Sequence, residues 1–296
     1  MFGVIRFQRV LLIGLLALVL TAATAASYAR ISLSAANRPY EAAEFTQPAA
    51  SVPIVMYHRL LRHGLRNDYT ITPEQFEADL IYLSQNGFNT ITVADLVDFV
   101  HNSVPLPDNP IMLTFDDGHF NNIYYGLPLL EAYGMRAVIS IVGQFSDDST
   151  ETGDINPNYS YLTWEQVREV SMGGIFEIQN HSYNLHHTTK GRHGCTRNRG
   201  EDLDEFTQKL TSDLQSLQDK IFDVTGQYPK AFTFPFGAIC DDSDRIVREM
   251  GFSASFSVNK GINTVRLGDP DSLFLLRRNI RPPSVSTEKF FENMLQ

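Results

Sequence analysis

The run Ile111-Met112-Leu113-Thr114-Phe115, followed at once by Asp116-Asp117-Gly118, constrains this 296-residue chain more than any other feature. An uncharged apolar stretch of this length reads as a buried strand, and the glycine permits the sharp turn that ends it. About sixty residues later, His181-Ser182-Tyr183-Asn184-Leu185-His186 offers two imidazoles. One carboxylate and two imidazoles suffice to hold a catalytic divalent metal with open positions, and the spare carboxylate can serve as a general base. Asp-Asp-Gly is also a common turn, and paired histidines are often plain loop residues. Their joint placement after strands, with a further turn at Pro235-Phe236-Gly237, favours a site for metal-assisted hydrolysis.

The rest of the chain alternates helix and strand signals. Val52 to His58 is a short apolar run ending on a histidine. Thr72-Pro73-Glu74-Gln75 is a capped helix start; Phe76, Leu80 and Leu83 share one face, and Gly87 stops it. Thr90 to Val93 begins the next unit, Leu127 to Tyr133 reads as helix, and Ala137 to Val142 as strand. Thr163-Trp164-Glu165-Gln166 repeats the capping pattern, with Gly173-Gly174 as its stop and Ile175 to Ile178 as a strand. Trp164 at that start reads as a packing anchor rather than a sugar platform. Phe206, Leu210, Leu214, Leu217 and Ile221 trace a long amphipathic helix closed by Gly226. Ala231 to Phe234 is a strand, Arg245 to Met250 a short helix, and Phe252 to Val258 a last strand. This order predicts an α/β fold with a parallel sheet and crossover helices, and α/β barrels place active sites at the carboxyl ends of such strands.

At the N-terminus Arg6 and Arg9 precede an apolar run and then Thr-Ala-Ala-Thr-Ala-Ala. Residues 1–29 are therefore expected to be a cleaved signal peptide, or else an uncleaved anchor across residues 10–26. Either way the catalytic part is secreted, periplasmic or in the cell envelope. Residues 30–51 read as a polar linker and 52–296 as one catalytic domain, long enough for a substantial core. The chain carries a net charge of −10, and −12 once the two leader arginines are set aside, which excludes the basic footprint of a nucleic-acid binder. Cys195 and Cys240 each fall near a motif loop, so export permits a bridge between them; two free thiols are the alternative.

Thr114-Phe115-Asp116-Asp117-Gly118 resembles the first motif of the polysaccharide deacetylases, the NodB-homology family or carbohydrate esterase family 4. His181-Ser182…His186 resembles the second motif, and Phe234-Pro235-Phe236-Gly237 the third. The similarity runs from about Val52 to the C-terminus. It implies a single distorted (β/α) barrel with fewer than eight regular units. It also implies removal of N-acetyl groups from N-acetylglucosamine units of an acetylated polysaccharide. Asp116 would be the base, and Asp117, His181 and His186 would hold a divalent metal, Zn²⁺ first, with Co²⁺, Ni²⁺ or Fe²⁺ as alternatives. The backbone N–H of Phe236, flanked by Pro235 and Gly237, would face the oxyanion.

Three departures from the commonest family pattern stand out. The histidines are spaced i, i+5, which on a helix would turn them about 140° apart, so a bent loop is required. Leu185-His186 is similar to the branch acting on exported β-1,6-linked N-acetylglucosamine polymers, which favours His186 over the adjacent His187. The third motif lacks its usual arginine, for which Arg278 is a substitute in the later sequence. No histidine follows His193, and Val55-Met56-Tyr57-His58 resembles the usual late acid motif moved to the start of the domain, making His58 the expected acid. His119 is expected beside the metal ligands or in solvent. Competing readings are an O-acetyl esterase on an acetylated glycan, and a non-catalytic carbohydrate-binding envelope protein of the same fold.

Overall fold

The computed structural model describes residues 48–63, 67–189 and 191–296. The expected signal or anchor segment and nearly all of the linker lie outside these residues. The first strand begins at Ala49, so residues 49–51 belong to the folded domain rather than to a linker. No helix among the described residues is long and apolar enough to cross a membrane.

Strand β1 (Ala49–Tyr57) is followed by a small ribbon, β2 (Arg59–Leu60) with β3 (Thr70–Ile71), and by α1 (Pro73–Gln85). Thr72 and Gln75 close the capping box of α1 reciprocally. Next come β4 (Asn89–Thr90), α2 (Val93–Asn102) and β5 (Pro110–Phe115), the strand that delivers the two carboxylates. A π-helical turn (Asn122–Gly126) leads into α3 (Leu127–Ala132), then β6 (Ala137–Ile141) and α4 (Gly143–Thr152). Helix α5 (Trp164–Gly173) precedes β7 (Phe176–Asn180), and α6 (Leu203–Thr225) precedes β8 (Ala231–Thr233). The chain ends with α7 (Asp241–Glu249), β9 (Ala254–Phe256), β10 (Ile262–Arg266), β11 (Asn279–Ile280) and α8 (Thr287–Leu295).

Strands β1, β5, β6, β7, β8 and β9 run parallel in that spatial order, with β10 antiparallel on the outer flank of β1. The segment Leu276–Ile280 then joins the two ends of the curl. Leu276 bridges to Phe256 of β9, while Asn279 and Ile280 pair in parallel with Val55 and Met56 of β1. The expected barrel with fewer than eight regular units is thus present, its closing strand only a few residues long. Tyr57, Phe76, Phe115, Phe176 and their neighbours fill the space between the strands and the first helices. Phe206, Leu210 and Leu214 of α6 pack on Phe232 and Phe234 in a second cluster.

Several elements escaped the periodicity, among them strand β10 and the short strands β2, β3 and β11. Helix α7 starts at Asp241, four residues before the expected Arg245, because Asp241, Asp242 and Asp244 carry no apolar signal yet suit a helix N-terminus. Helix α4 is polar along most of its length, and α8 shows its pattern only in its buried Phe290, Phe291 and Met294.

Candidate active site

A cavity of about 550 Å³ opens at the carboxyl ends of the strands, and His58, Asp116, Asp117, His181, His186 and Phe236 all line it. Three motif residues there take left-handed backbone that side chains ordinarily avoid: Asp117 (φ 70°), Ser182 (φ 72°) and Phe236 (φ 58°). Such angles persist where the surrounding structure enforces them; Asp117 and Phe236 line the cavity, while buried Ser182 accepts the Leu185 N–H and bends the histidine loop. Gly118 and Gly237 follow the first and third of these. A Cβ on Gly118 would meet Ile141 Cγ2 at 2.9 Å, and one on Gly237 would meet Val258 Cγ2 at 2.2 Å.

Asp117, His181 and His186 each offer a donor atom, all within 4.8 Å of one another. Nε2 of His181 lies 3.5 Å and Nε2 of His186 3.2 Å from Asp117 Oδ1, which is buried and has no hydrogen-bond partner. Nδ1 of His181 is 2.7 Å from the carbonyl oxygen of Thr233; a carbonyl only accepts, so Nδ1 carries the proton. In the neutral ring the Nε2 lone pair then faces a carboxylate oxygen. Converging lone pairs of this kind suit a cation between them, and the histidine fixed through its other nitrogen is the usual arrangement of a metal ligand. The donor set therefore fits the divalent ion the sequence implies. Burial alone would raise the pKa of Asp117, but the imidazoles of His119, His181 and His186 around it hold it well below the carboxylate range. His119 is buried, stacks on Tyr161 and sets Nε2 3.3 Å from Asp117 Oδ2. His187 is not in the cluster; its Nδ1 meets Thr189 Oγ1 at 2.9 Å.

Asp116 is buried beside this cluster and differently partnered. Arg278, itself fully buried, donates Nη1 to Oδ1 at 2.6 Å and Nη2 to Oδ2 at 2.8 Å. Burial would raise the carboxyl pKa, yet Arg278 first, then His181, hold it below the ordinary value. The arginine absent from the third motif thus has a counterpart on the closing strand. His58 Nε2 lies 3.9 Å from Asp116 Oδ2. Burial lowers the pKa of His58, while Asp116 and Asp117 pull it back up.

The histidine loop is bent as the i, i+5 spacing requires, and α6 holds it. Asp213 accepts the backbone N–H of Tyr183 and of Asn184, each at 2.8 Å, and Asn180 Nδ2 donates to the Leu214 carbonyl. Burial lifts the Asp213 carboxyl to about 6, against the lowering pull of those two N–H groups. From below, Tyr183 packs over Gly143, where a Cβ would meet its ring at 2.3 Å, and its hydroxyl donates to Asp147. Sequence reasoning missed Asp213, because nothing in a helical Ser-Asp-Leu marks a loop far away in sequence.

One expectation is corrected. Cys195 and Cys240 are both free thiols, not a bridge. Both lie in the cluster around α6, but Cys240 caps α7 with Sγ 3.6 Å from Ser243 Oγ, and Cys195 is enclosed among apolar side chains. Pro235 is buried, whereas Phe236 packs its ring against His186 at 4.3 Å and remains 43% exposed. Trp164 is an anchor as expected, packed on the main core with Nε1 donating to Asp147.

A family model described as polysaccharide deacetylase matches residues 103–255. The poly-β-1,6-N-acetyl-D-glucosamine N-deacetylase of Escherichia coli K12 is 23% identical over 199 residues, covering 61% of this chain. This chain spans only 30% of the length of that relative. Among solved structures, a de-N-acetylase from Aggregatibacter actinomycetemcomitans superposes with a TM-score of 0.71 at 22% identity, covering 83% of this chain and all of that one. IcaB from Ammonifex degensii superposes with a TM-score of 0.65 at 24% identity, covering 79% and 93%. These likenesses establish the fold.

Proposed function

The chain belongs to the polysaccharide deacetylase family, and from that premise we propose that it hydrolyses N-acetyl groups on N-acetylglucosamine units of an exported polysaccharide. The observation that carries this reading is the pairing of two unlike carboxylates in one cavity. Asp116 is clamped by Arg278, and Asp117 converges with His181 and His186. Neither arrangement serves packing, and together they divide base from metal ligand.

Asp117, His181 and His186 would hold the ion, zinc or a similar divalent metal. When bound, it supplies polarisation of the acetyl carbonyl and acidification of water. Asp116, kept ionised and fixed in orientation by Arg278, takes the proton as water adds to the carbonyl. His58 takes that proton over from Asp116 and gives it to the sugar nitrogen as the C–N bond breaks, leaving acetic acid and a free amine. Burial lowers the pKa of His58, which favours passing a proton on rather than keeping it. The backbone at Phe236 is the candidate for facing the developing oxyanion. The residues that precede the domain support export, with a cleaved or an uncleaved leader.

Acetate release tests the reading. β-1,6-linked and β-1,4-linked N-acetylglucosamine oligomers and an O-acetylated glycan would be compared, each with and without chelator. Metal-dependent release from an N-acetylated oligomer is expected. Release from the O-acetylated glycan alone would replace it with the esterase, and none from any glycan with the binding protein.

A further inference from the structure

The β2–β3 ribbon carries two side chains into the cavity that the chemistry above leaves without a task. Tyr69 lines it with 52% of its surface exposed, and its ring stands edge-on to His58 with centroids 4.8 Å apart. Arg59 lines it as well. One Nη of Arg59 donates to the Asn158 carbonyl at 2.6 Å, its Nε is buried without a partner, and among the described residues it forms no ion pair.

The ribbon is held firmly. Arg59 N donates to the Tyr69 carbonyl, Arg59 and Leu60 pair with Thr70 and Ile71, and Asn67 Oδ1 accepts from both Tyr69 N and Thr70 Oγ1. Leu60 N and the His58 carbonyl are bonded in turn to Asn121 and Asn122. An exposed aromatic ring thus stands on a hydrogen-bonded backbone before any ligand arrives, next to a half-buried guanidinium with an unused donor. Aromatic faces stack on the C–H faces of sugars, and an unsatisfied buried guanidinium N–H calls for an oxygen acceptor. Because His58 serves the nitrogen of the reacting sugar, a ring stacked on Tyr69 is the reacting sugar's neighbour.

Resting on the deacetylase reading of this site, we propose that Tyr69 and Arg59 form a subsite for a second sugar unit. Tyr69 is the platform, and Arg59 donates to a hydroxyl or ring oxygen of that unit. The substrate class is then a linked chain of at least two sugars, not a free monosaccharide.

The test compares N-acetylglucosamine with its β-1,6-linked dimer and trimer, using 4-methylumbelliferyl acetate as a probe without sugar. Wild-type kcat/KM should rise tenfold or more from monomer to trimer. Tyr69→Ala and Arg59→Ala should lose most of that rise, mainly through KM, and lose at least tenfold more on the trimer than on the ester. Tyr69→Phe should restore the trimer preference, because stacking needs the ring and not the hydroxyl. Equal losses on trimer and ester, or no chain-length preference in the wild type, would overturn the subsite. Calorimetric binding of β-1,6- and β-1,4-linked trimers to Asp116→Asn protein separates this from the parent reading. Trimer bound and weakened by Tyr69→Ala, in a protein whose wild type releases no acetate, would keep the subsite and sink the deacetylase. No binding of either trimer would overturn the subsite whatever the activity.

Discussion

Two buried arginines three residues apart on the closing segment, Arg278 and Arg281, each clasp an aspartate, and the two pairs have opposite fates. Arg281 donates Nε to Asp79, whose carboxylate also accepts from Tyr57 Oη and from Thr287 Oγ1. Every oxygen is occupied, and burial holds the Asp79 pKa above its ordinary value in spite of Arg281. That pair ties α1, β1 and α8 together. Among the described residues the Asp116 side chain accepts from Arg278 alone. Its remaining lone pairs face a cavity shared with His58 and the donor cluster, and its pKa is held down. The same ion pair is a rivet where its valences are filled and a reagent holder where they are left over.

Breaking the two pairs should show the difference, with the largest combined effect at Arg278. Removing one partner of a buried pair typically costs about 3–5 kcal/mol, because the other charge stays behind unpaired. Arg278→Leu should lose stability on that scale in urea denaturation and lose amide turnover as well. Arg281→Leu should lose similar stability, while its folded fraction turns over at close to the wild-type rate. Comparable turnover losses in the two folded variants would erase the distinction. Next comes His58→Ala, expected to lower kcat on an amide by about 10²–10⁴ with metal content unchanged. The defect should shrink on an acetyl ester with a phenolate leaving group, which departs without protonation. Near-normal amide turnover by the folded variant would remove His58 from the chemistry.

The smallest effect is expected at Asp213, which touches neither ligand. Loosening the loop that carries both histidines should weaken metal affinity by about tenfold in Asp213→Ala, as supporting residues of metal sites usually do. Chelator competition measures it, and unchanged affinity would show that the loop holds its shape unaided. Asp213 also has a pH signature. Its folded pKa of about 6 lies above the ordinary 3.8, so the folded state binds the proton more tightly. Its contribution to stability is fully present below the unfolded pKa, falls as pH rises through that window, and is flat above it. Asp213→Asn should lack this slope when thermal unfolding is compared between acid and neutral pH.

These contrasts also mark what the sequence made legible. Asp116 and Asp117 were visible because a glycine turn follows their strand, and His181 and His186 because two imidazoles after a second strand complete a set of metal ligands. His58 was visible as the end of an apolar run. Helix α1 could be read to within a residue or two, since cap, stripe and stop agree, whereas for α6 the stripe and stop left out its first turn at Leu203. Arg278 was only weakly legible: 162 residues separate it from Asp116, and no local pattern distinguishes it from Arg277. Asp213, Arg59 and Tyr69 act through three-dimensional placement alone. The thiol pair misled because two loops near one site in sequence need not bring their sulfurs into bonding geometry.

The central claim is that the adjacent carboxylates divide the work, Asp116 holding the proton and Asp117 the metal. Asp116→Asn and Asp117→Asn proteins, loaded with Zn²⁺ and desalted, would be measured for bound metal and for acetate release from one N-acetylated oligomer. Asp116→Asn should retain near-stoichiometric metal with turnover reduced by about 10²–10⁴, while Asp117→Asn should lose metal and turnover together. Equal metal loss in both proteins, or full turnover by metal-free wild type, would contradict the division.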